Sequence, residues 1–233
     1  MRIQYMSDLH MELYDNSRYI KAKEFEATGD VLVLAGDTFY LRDIIAPQKR
    51  FWNWASNNFR QVLMVPGNHE FYGNGDVIER GDSWQWMFRE NVGYYYNKVV
   101  RIDDIDFILT TLWSKIPEVD MFYVLRGMND FRQIMYDGRR FMPEDFNLEH
   151  EKCIRFLKQA VNVLLGQELL YTVWEDGSRG TRSYRSCIIG SVGLRWVVLA
   201  LASDRRSSGQ GLLNAQAGPS LLLTLLKRPV GAA

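Results

Sequence analysis

The sequence is poor in the residues that build metal sites and covalent frameworks. It holds three histidines, His10, His69 and His150, and two cysteines, Cys153 and Cys187. Two distant cysteines cannot make a disulfide framework and lack the paired spacing of a zinc site, so they read as reduced thiols of a cytoplasmic protein. Net charge is missing too, because 28 Lys and Arg balance 28 Asp and Glu. A balanced chain has no field to gather nucleic acid or an anionic membrane, and neither is an expected partner. Nor is there a long apolar run. The most apolar stretch, residues 188–202, contains Arg195 and is shorter than the ~20 residues of a membrane span. We read it as buried core or as something less regular. The first residues lack the apolar stretch of a secretory signal. There is also no phosphate-cradling glycine loop, no Ser-His-Asp ordering and no internal repeat. What remains is a globular composition, 47% hydrophobic and 24% charged over 233 residues, enough for one sizeable domain.

Three early segments share one grammar. Residues 3–6 form a short apolar run that stops at Ser7-Asp8-Leu9-His10. Residues 31–35, Val-Leu-Val-Leu-Ala, stop at Gly36-Asp37, and residues 61–65 stop at Pro66-Gly67-Asn68-His69-Glu70. Continuous aliphatic runs of this length suit strands covered on both faces, and the Gly or Pro after them marks the loop. Between the second and third runs, residues 41–59 place Phe51, Trp52, Trp54, Ala55 and Phe59 near helical spacing. Strand, helix, strand implies parallel neighbours, which bring the polar groups at their ends to one edge. Those groups are two aspartates, one asparagine and two histidines. Carboxylate, amide and imidazole are the ligand types for Mn, Fe, Zn or Ni.

Each residue also has a bland reading. An Asp after a strand is often only a turn former, and a lone His is more often a satisfied side chain than a ligand. Yet two of the chain's three histidines follow strands of the same kind. Chance explains the joint pattern poorly.

Asp8-Leu9-His10, Gly36-Asp37 and Gly67-Asn68-His69-Glu70, in this order, resemble the motifs of the calcineurin-like metallophosphoesterases. Less specifically, residues 103–113 resemble that family's next strand pair, and Thr111-Leu112-Trp113-Ser114 the segment that many bacterial members carry after it. The resemblance covers roughly residues 1–160. It implies an α/β fold, a layered β-sandwich core with flanking helices, and a metal-dependent hydrolase of phosphomonoesters or phosphodiesters. It further implies that Asp8 and His10 bind one divalent metal, that Asp37 bridges two, and that Asn68 binds the second through its side-chain oxygen. His69 would sit beside the phosphate and donate to the leaving oxygen. Two cations about 3.5–4 Å apart polarise a phosphoryl group and stabilise both its attacking and leaving oxygens. A histidine titrating near neutrality suits the proton donor. The partner would be a small phosphoester.

The pattern then breaks. The family's later histidine motifs supply the remaining imidazole ligands, and this chain has no histidine after His150. His150 itself lies in an amphipathic helical pattern running from Phe146 through Ile154, Phe156, Leu157 and Val161, where solvation is its ordinary fate. Phenylalanine ends at Phe156, and Ser, Arg, Gly and Leu dominate from residue 177 onward. We therefore divide the chain into a phosphoesterase-like portion, residues 1–165, and a divergent or frameshifted segment, residues 166–233, which leaves the fold's C-terminal part incomplete or aberrant. The rival reading is a catalytically impaired remnant that binds at most one metal, and a third is a chain that does not fold stably. Residues 73–76 read as a turn, and Trp84, Trp86, Tyr94, Tyr95 and Tyr96 as core aromatics rather than a stacking platform. The substrate and the oligomeric state are not legible. Translating the coding DNA in its other two frames tests the frameshift: a histidine-rich continuation is expected, and its absence removes that version.

Overall fold

The three apolar runs become parallel neighbours, the second and third buried on both faces and the first half-buried at the sheet edge. β1 (Ile3–Met6), β2 (Val31–Ala35) and β3 (Gln61–Val65) pair with Met6 opposite Leu34 and Leu34 opposite Met64. The computed structural model describes residues 1–42, 48–103 and 105–165, and the backbone of 187–189, 197–203 and 226–228. α1 (Tyr14–Ala22) lies between β1 and β2 in the chain, and α2 (Lys49–Asn58) crosses from β2 to β3, burying Phe51, Trp52 and Ala55. That helix falls inside the expected 41–59, of which 43–47 lie outside the described residues. β5 (Val92–Tyr96) adds in parallel to β3, and β4 (Trp84–Arg89) closes the edge antiparallel to β5.

A second sheet is built on the hairpin of β6 (Lys98–Ile102) and β7 (Ile105–Thr110). The expected strand pair thus begins at Lys98 rather than at residue 103. β11 (Val197–Ser203) runs antiparallel to β7, while β10 (Cys187–Ile189) and β12 (Leu226–Arg228) pair with β11. Parts of the apolar stretch 188–202 are therefore strand. The expected change of character after residue 165 concerns residues 166–186, 190–196, 204–225 and 229–233, which lie outside the described residues.

The period of two along each strand sorts side chains into two cores. Val31, Val33, Ala35, Leu63, Val65 and Tyr95 face Ile105, Phe107 and Leu109 of the second sheet. Leu32, Leu34, Val62, Met64, Tyr94 and Tyr96 belong to the opposite core, with Phe51, Trp52, Phe146 and Cys153. The result is the layered β-sandwich with flanking helices that the sequence predicts. Trp84 stacks on Tyr96 with ring centroids 5.6 Å apart, so these aromatics are core.

The rest of the described chain follows as α3 (Met121–Gly127), α4 (Asp130–Gln133), a hairpin of β8 (Met135–Tyr136) and β9 (Arg139–Arg140), and α5 (Pro143–Leu165). α5 starts on Pro143, whose missing N–H costs nothing in a first turn. Asp145 accepts from the Met142 N–H at 2.9 Å and thereby caps the helix. Glu149, on the buried face of α5, accepts from the Tyr96 and Tyr136 hydroxyls at 2.6 and 2.9 Å and from Lys152 at 2.8 Å. The neighbouring His150 faces the Trp113 carbonyl through Nδ1 and belongs to none of the ligand groupings among the described residues. Residues 73–76 are pinned as a turn, with Asp76 accepting from the N–H groups of Ile78, Asp137 and Gly138. Among the described residues no helix is long and apolar enough to cross a membrane.

Phe107 has no exposed surface where the two sheets meet. Phe107→Ala is expected to cost about 3–5 kcal/mol, read as a lower midpoint in urea denaturation.

Candidate metal centre

The loops that leave β1, β2 and β3 are held to one another through their backbones. Asp8 donates its N–H to the Gly36 carbonyl at 3.2 Å, His10 to Asp37 at 2.9 Å and Met11 to Thr38 at 3.0 Å. Asp8, His10 and Asp37 all adopt positive φ, at 54°, 42° and 52°. Left-handed backbone costs a non-glycine residue of order 1–3 kcal/mol and survives where the surroundings enforce it. Here the inter-loop hydrogen bonds do so. These three are also residues whose ligand atoms group together.

One buried carboxylate fastens the second loop to the third. Glu70 is 1% exposed and accepts from the backbone N–H groups of Asp37 at 3.0 Å, Thr38 at 2.8 Å and Gly67 at 2.7 Å. The Tyr94 hydroxyl donates to it at 3.0 Å from β5. Burial, and then the charge of Asp37, push its carboxyl up, against the pull of those donors. Gly67 is required at its position, because a Cβ there would stand 2.0 Å from Oδ1 of Asp37.

Four of the five candidate residues meet on this frame, and the fifth, Asn68, is the chain neighbour of His69. Ligand atoms of Asp8, His10 and Asp37 lie within 4.8 Å of one another. The His69 ring stands 4.3 Å from that of His10, edge to face, and its N–H donates to Oδ1 of Asp37 at 3.1 Å. Burial pushes Asp37 up to about 6, and the neighbouring His69 and His10 pull it the other way. Asn68 is 2% exposed, and its Oδ1 has no hydrogen-bond partner. A buried amide oxygen without a donor carries a desolvation penalty that a cation would relieve. The donor set of two carboxylates, an imidazole and this amide oxygen therefore fits a divalent ion.

Three further residues were not singled out from the sequence. Glu12 lies two positions after His10, and its Oε1 meets Nδ1 of His10 at 3.1 Å and Nδ1 of His69 at 2.8 Å. Burial opposes its charge, but those two bonds outweigh it and hold the carboxyl at about 2. An ionised carboxylate only accepts, so both imidazoles carry their proton on Nδ1, which leaves Nε2 as the other contact atom. The same bond raises the His10 imidazole above its ordinary value, against the effect of its burial. The second is Asp130, at the start of α4, which takes a hydrogen bond from Nδ2 of Asn68 at 2.9 Å. The third is Tyr72, whose hydroxyl donates to the same Asp130 oxygen and whose ring stacks on His69 at 4.2 Å. Burial, and then the charge of Asp130, push the Tyr72 phenol up, so it remains a donor. The only local signal for any of them is the spacing of Glu12 from His10.

A family model described as calcineurin-like phosphoesterase matches residues 1–191. An uncharacterized protein of Acanthamoeba polyphaga mimivirus is 31% identical over 215 residues, covering 82% of this chain and 76% of that protein. The chain is also similar to the crystal structure of a phosphopantetheinyl hydrolase from Mycobacterium tuberculosis, at 18% identity and a TM-score of 0.37. That match covers 71% of this chain and 63% of the solved one, so the chain spans less than two thirds of its length.

The Glu70 clamp makes its own prediction. Glu70→Ala leaves three buried N–H groups without their acceptor and is expected to destabilise the metal-free protein by at least about 3 kcal/mol. A loss under about 1 kcal/mol in chemical denaturation would contradict that role.

Proposed function

The chain belongs to the calcineurin-like phosphoesterases, a family of metal-dependent phosphoester hydrolases, and we propose from that premise that it hydrolyses a small phosphomonoester or phosphodiester at a dinuclear centre. The observations that carry the proposal are the buried, unpartnered Oδ1 of Asn68, the residue before His69, and the grouped donors of Asp8, His10 and Asp37. In this reading Asp8, His10 and Asp37 hold the first ion, and Asp37 and Asn68 the second. When bound, the ions would supply the positive charge that polarises the phosphoryl group and steadies attacking and leaving oxygens. His69 donates a proton to the leaving oxygen. Glu12 holds the Nδ1–H of that ring, which gives Nε2 to the substrate side. The strained loops, locked by Glu70, keep these groups in place without reorganisation during the reaction.

One observation favours the rival reading. The sequence contains no histidine after His150, so the second ion has one shared carboxylate and one neutral amide among the assigned ligands. On that reading the chain is an impaired remnant with one metal at most. We further propose that residues 166–233 form a divergent or frameshifted continuation of the domain in residues 1–165, and that the protein works in the cytoplasm.

Metal analysis and an aryl phosphate assay separate the two. The enzyme reading expects about two Mn, Fe, Zn or Ni ions per chain and turnover abolished in Asp37→Ala. His69→Ala should lower kcat by about 10²–10⁴-fold, the usual worth of a general acid. One ion or none, with no turnover that these substitutions remove, establishes the remnant.

A further inference from the structure

An asparagine is an ambiguous ligand, because its amide can present either oxygen or nitrogen to a cation. Only the oxygen has lone pairs to give. Rotation of the amide by half a turn would place two N–H protons against the ion and repel it. Something in the protein must therefore choose the orientation of Asn68, and the choice must be made in a buried pocket where water cannot correct it.

We propose that Asp130 is the positioning residue that makes this choice, accepting one Nδ2 proton of Asn68 so that Oδ1 is the atom offered to a cation. The inference rests on the reading of Asn68 as a metal ligand. Asp130 is 1% exposed, and its Oδ1 stands 2.9 Å from Nδ2 of Asn68. The carboxylate has no proton to donate when ionised, so the flipped amide, with its oxygen against Asp130, would set two acceptors against each other. The orientation is fixed by chemistry rather than by shape. The opposite end of the same amide is the orphaned Oδ1, which is the end a cation would meet.

Asp130 is in turn held from elsewhere. It opens α4, and the Tyr72 hydroxyl donates to the same Oδ1 that receives Asn68. Tyr72 stacks face to face on the His69 ring. One carboxylate thus seats both the amide ligand and the aromatic plate behind the proposed proton donor. The other Asp130 oxygen is buried and without a partner, so the residue retains a free acceptor beside the site. A side chain chosen only to fill space would not be an ionisable group with an unsatisfied buried oxygen.

The test compares wild type, Asp130→Leu, which keeps the branched shape but removes the acceptor, and Asp130→Asn, which keeps an acceptor oxygen. Mn²⁺ alone is titrated calorimetrically into the metal-free full-length chain. Asp130→Leu should weaken the second equivalent of Mn²⁺ by about 10–100-fold, the usual effect of removing a partner that orients a ligand. The first equivalent should be unchanged, and Asp130→Asn should recover most of the loss. A Leu variant that binds both equivalents like wild type, or loses both alike, overturns the proposal. The side-chain amide resonances of Asn68 in metal-free wild type give a second readout that needs no variant to fold. A slowly exchanging, downfield-shifted proton is expected, and a freely exchanging pair overturns the proposal. Wild type that takes up only one Mn²⁺ defeats the dinuclear reading instead, and the amide resonances then decide the role of Asp130 by themselves.

Discussion

Everything at the candidate centre depends on one carboxylate that is not itself an assigned ligand. Glu70 collects three backbone N–H groups from two different loops and a tyrosine hydroxyl from a third element. Backbone donors at loops leaving a buried sheet have no strand partner and no water, so each must find an acceptor within the protein. A single acceptor that serves all three also fixes the distance between the loops. Removing it would release Asp37 and Gly67 together. Gly67 has room for no side chain because the clamp brings Asp37 that close.

The strain follows from the clamp. Asp8, His10 and Asp37 sit in left-handed backbone that the isolated chain would avoid. The loops are stitched to each other by three backbone bonds, from Asp8, His10 and Met11. Together with the Glu70 bonds they offset the local cost. Such a frame gains nothing by relaxing, since each turn toward ordinary dihedrals would break a buried hydrogen bond. Strain distributed in this way is a means of aiming side chains, and the aimed side chains are carboxylates and imidazoles.

Much of this was legible in the sequence, and the parts that were not share a reason. β2 and β3 were readable because burial on both faces leaves a continuous aliphatic run, and their ends because Gly and Pro punctuate them. Asp8, His10, Asp37, Asn68 and His69 stand beside strand ends, so their convergence follows from parallel pairing alone. Glu12, Asp130 and the clamping role of Glu70 depend instead on contacts between distant segments. Asn68 and Asp130 are 62 positions apart, and nothing around Asp130 differs from an ordinary helix start. The start of the second hairpin at Lys98 was missed because β6 is half-buried to exposed throughout and holds Lys98 and Arg101, so it lacks the continuous aliphatic run of the buried strands.

The imbalance between the two proposed ion positions has an electrostatic cause that the geometry makes plain. The position of Asp8, His10 and Asp37 combines two carboxylates with an imidazole whose Nδ1 is already tied to Glu12, so its remaining nitrogen is pre-set as a lone-pair donor whenever the ring is neutral. The position of Asp37 and Asn68 has one carboxylate, shared, and one neutral oxygen. A cation at the first position neutralises much of the charge on Asp37 before the second arrives. The second ion then depends more heavily on the amide than it would in a site rich in imidazole. In such a site a loosely held asparagine would be a tolerable defect. Here it would remove half of the assigned donors, and this is the physical reason for a buried acceptor to be spent on orienting a single amide.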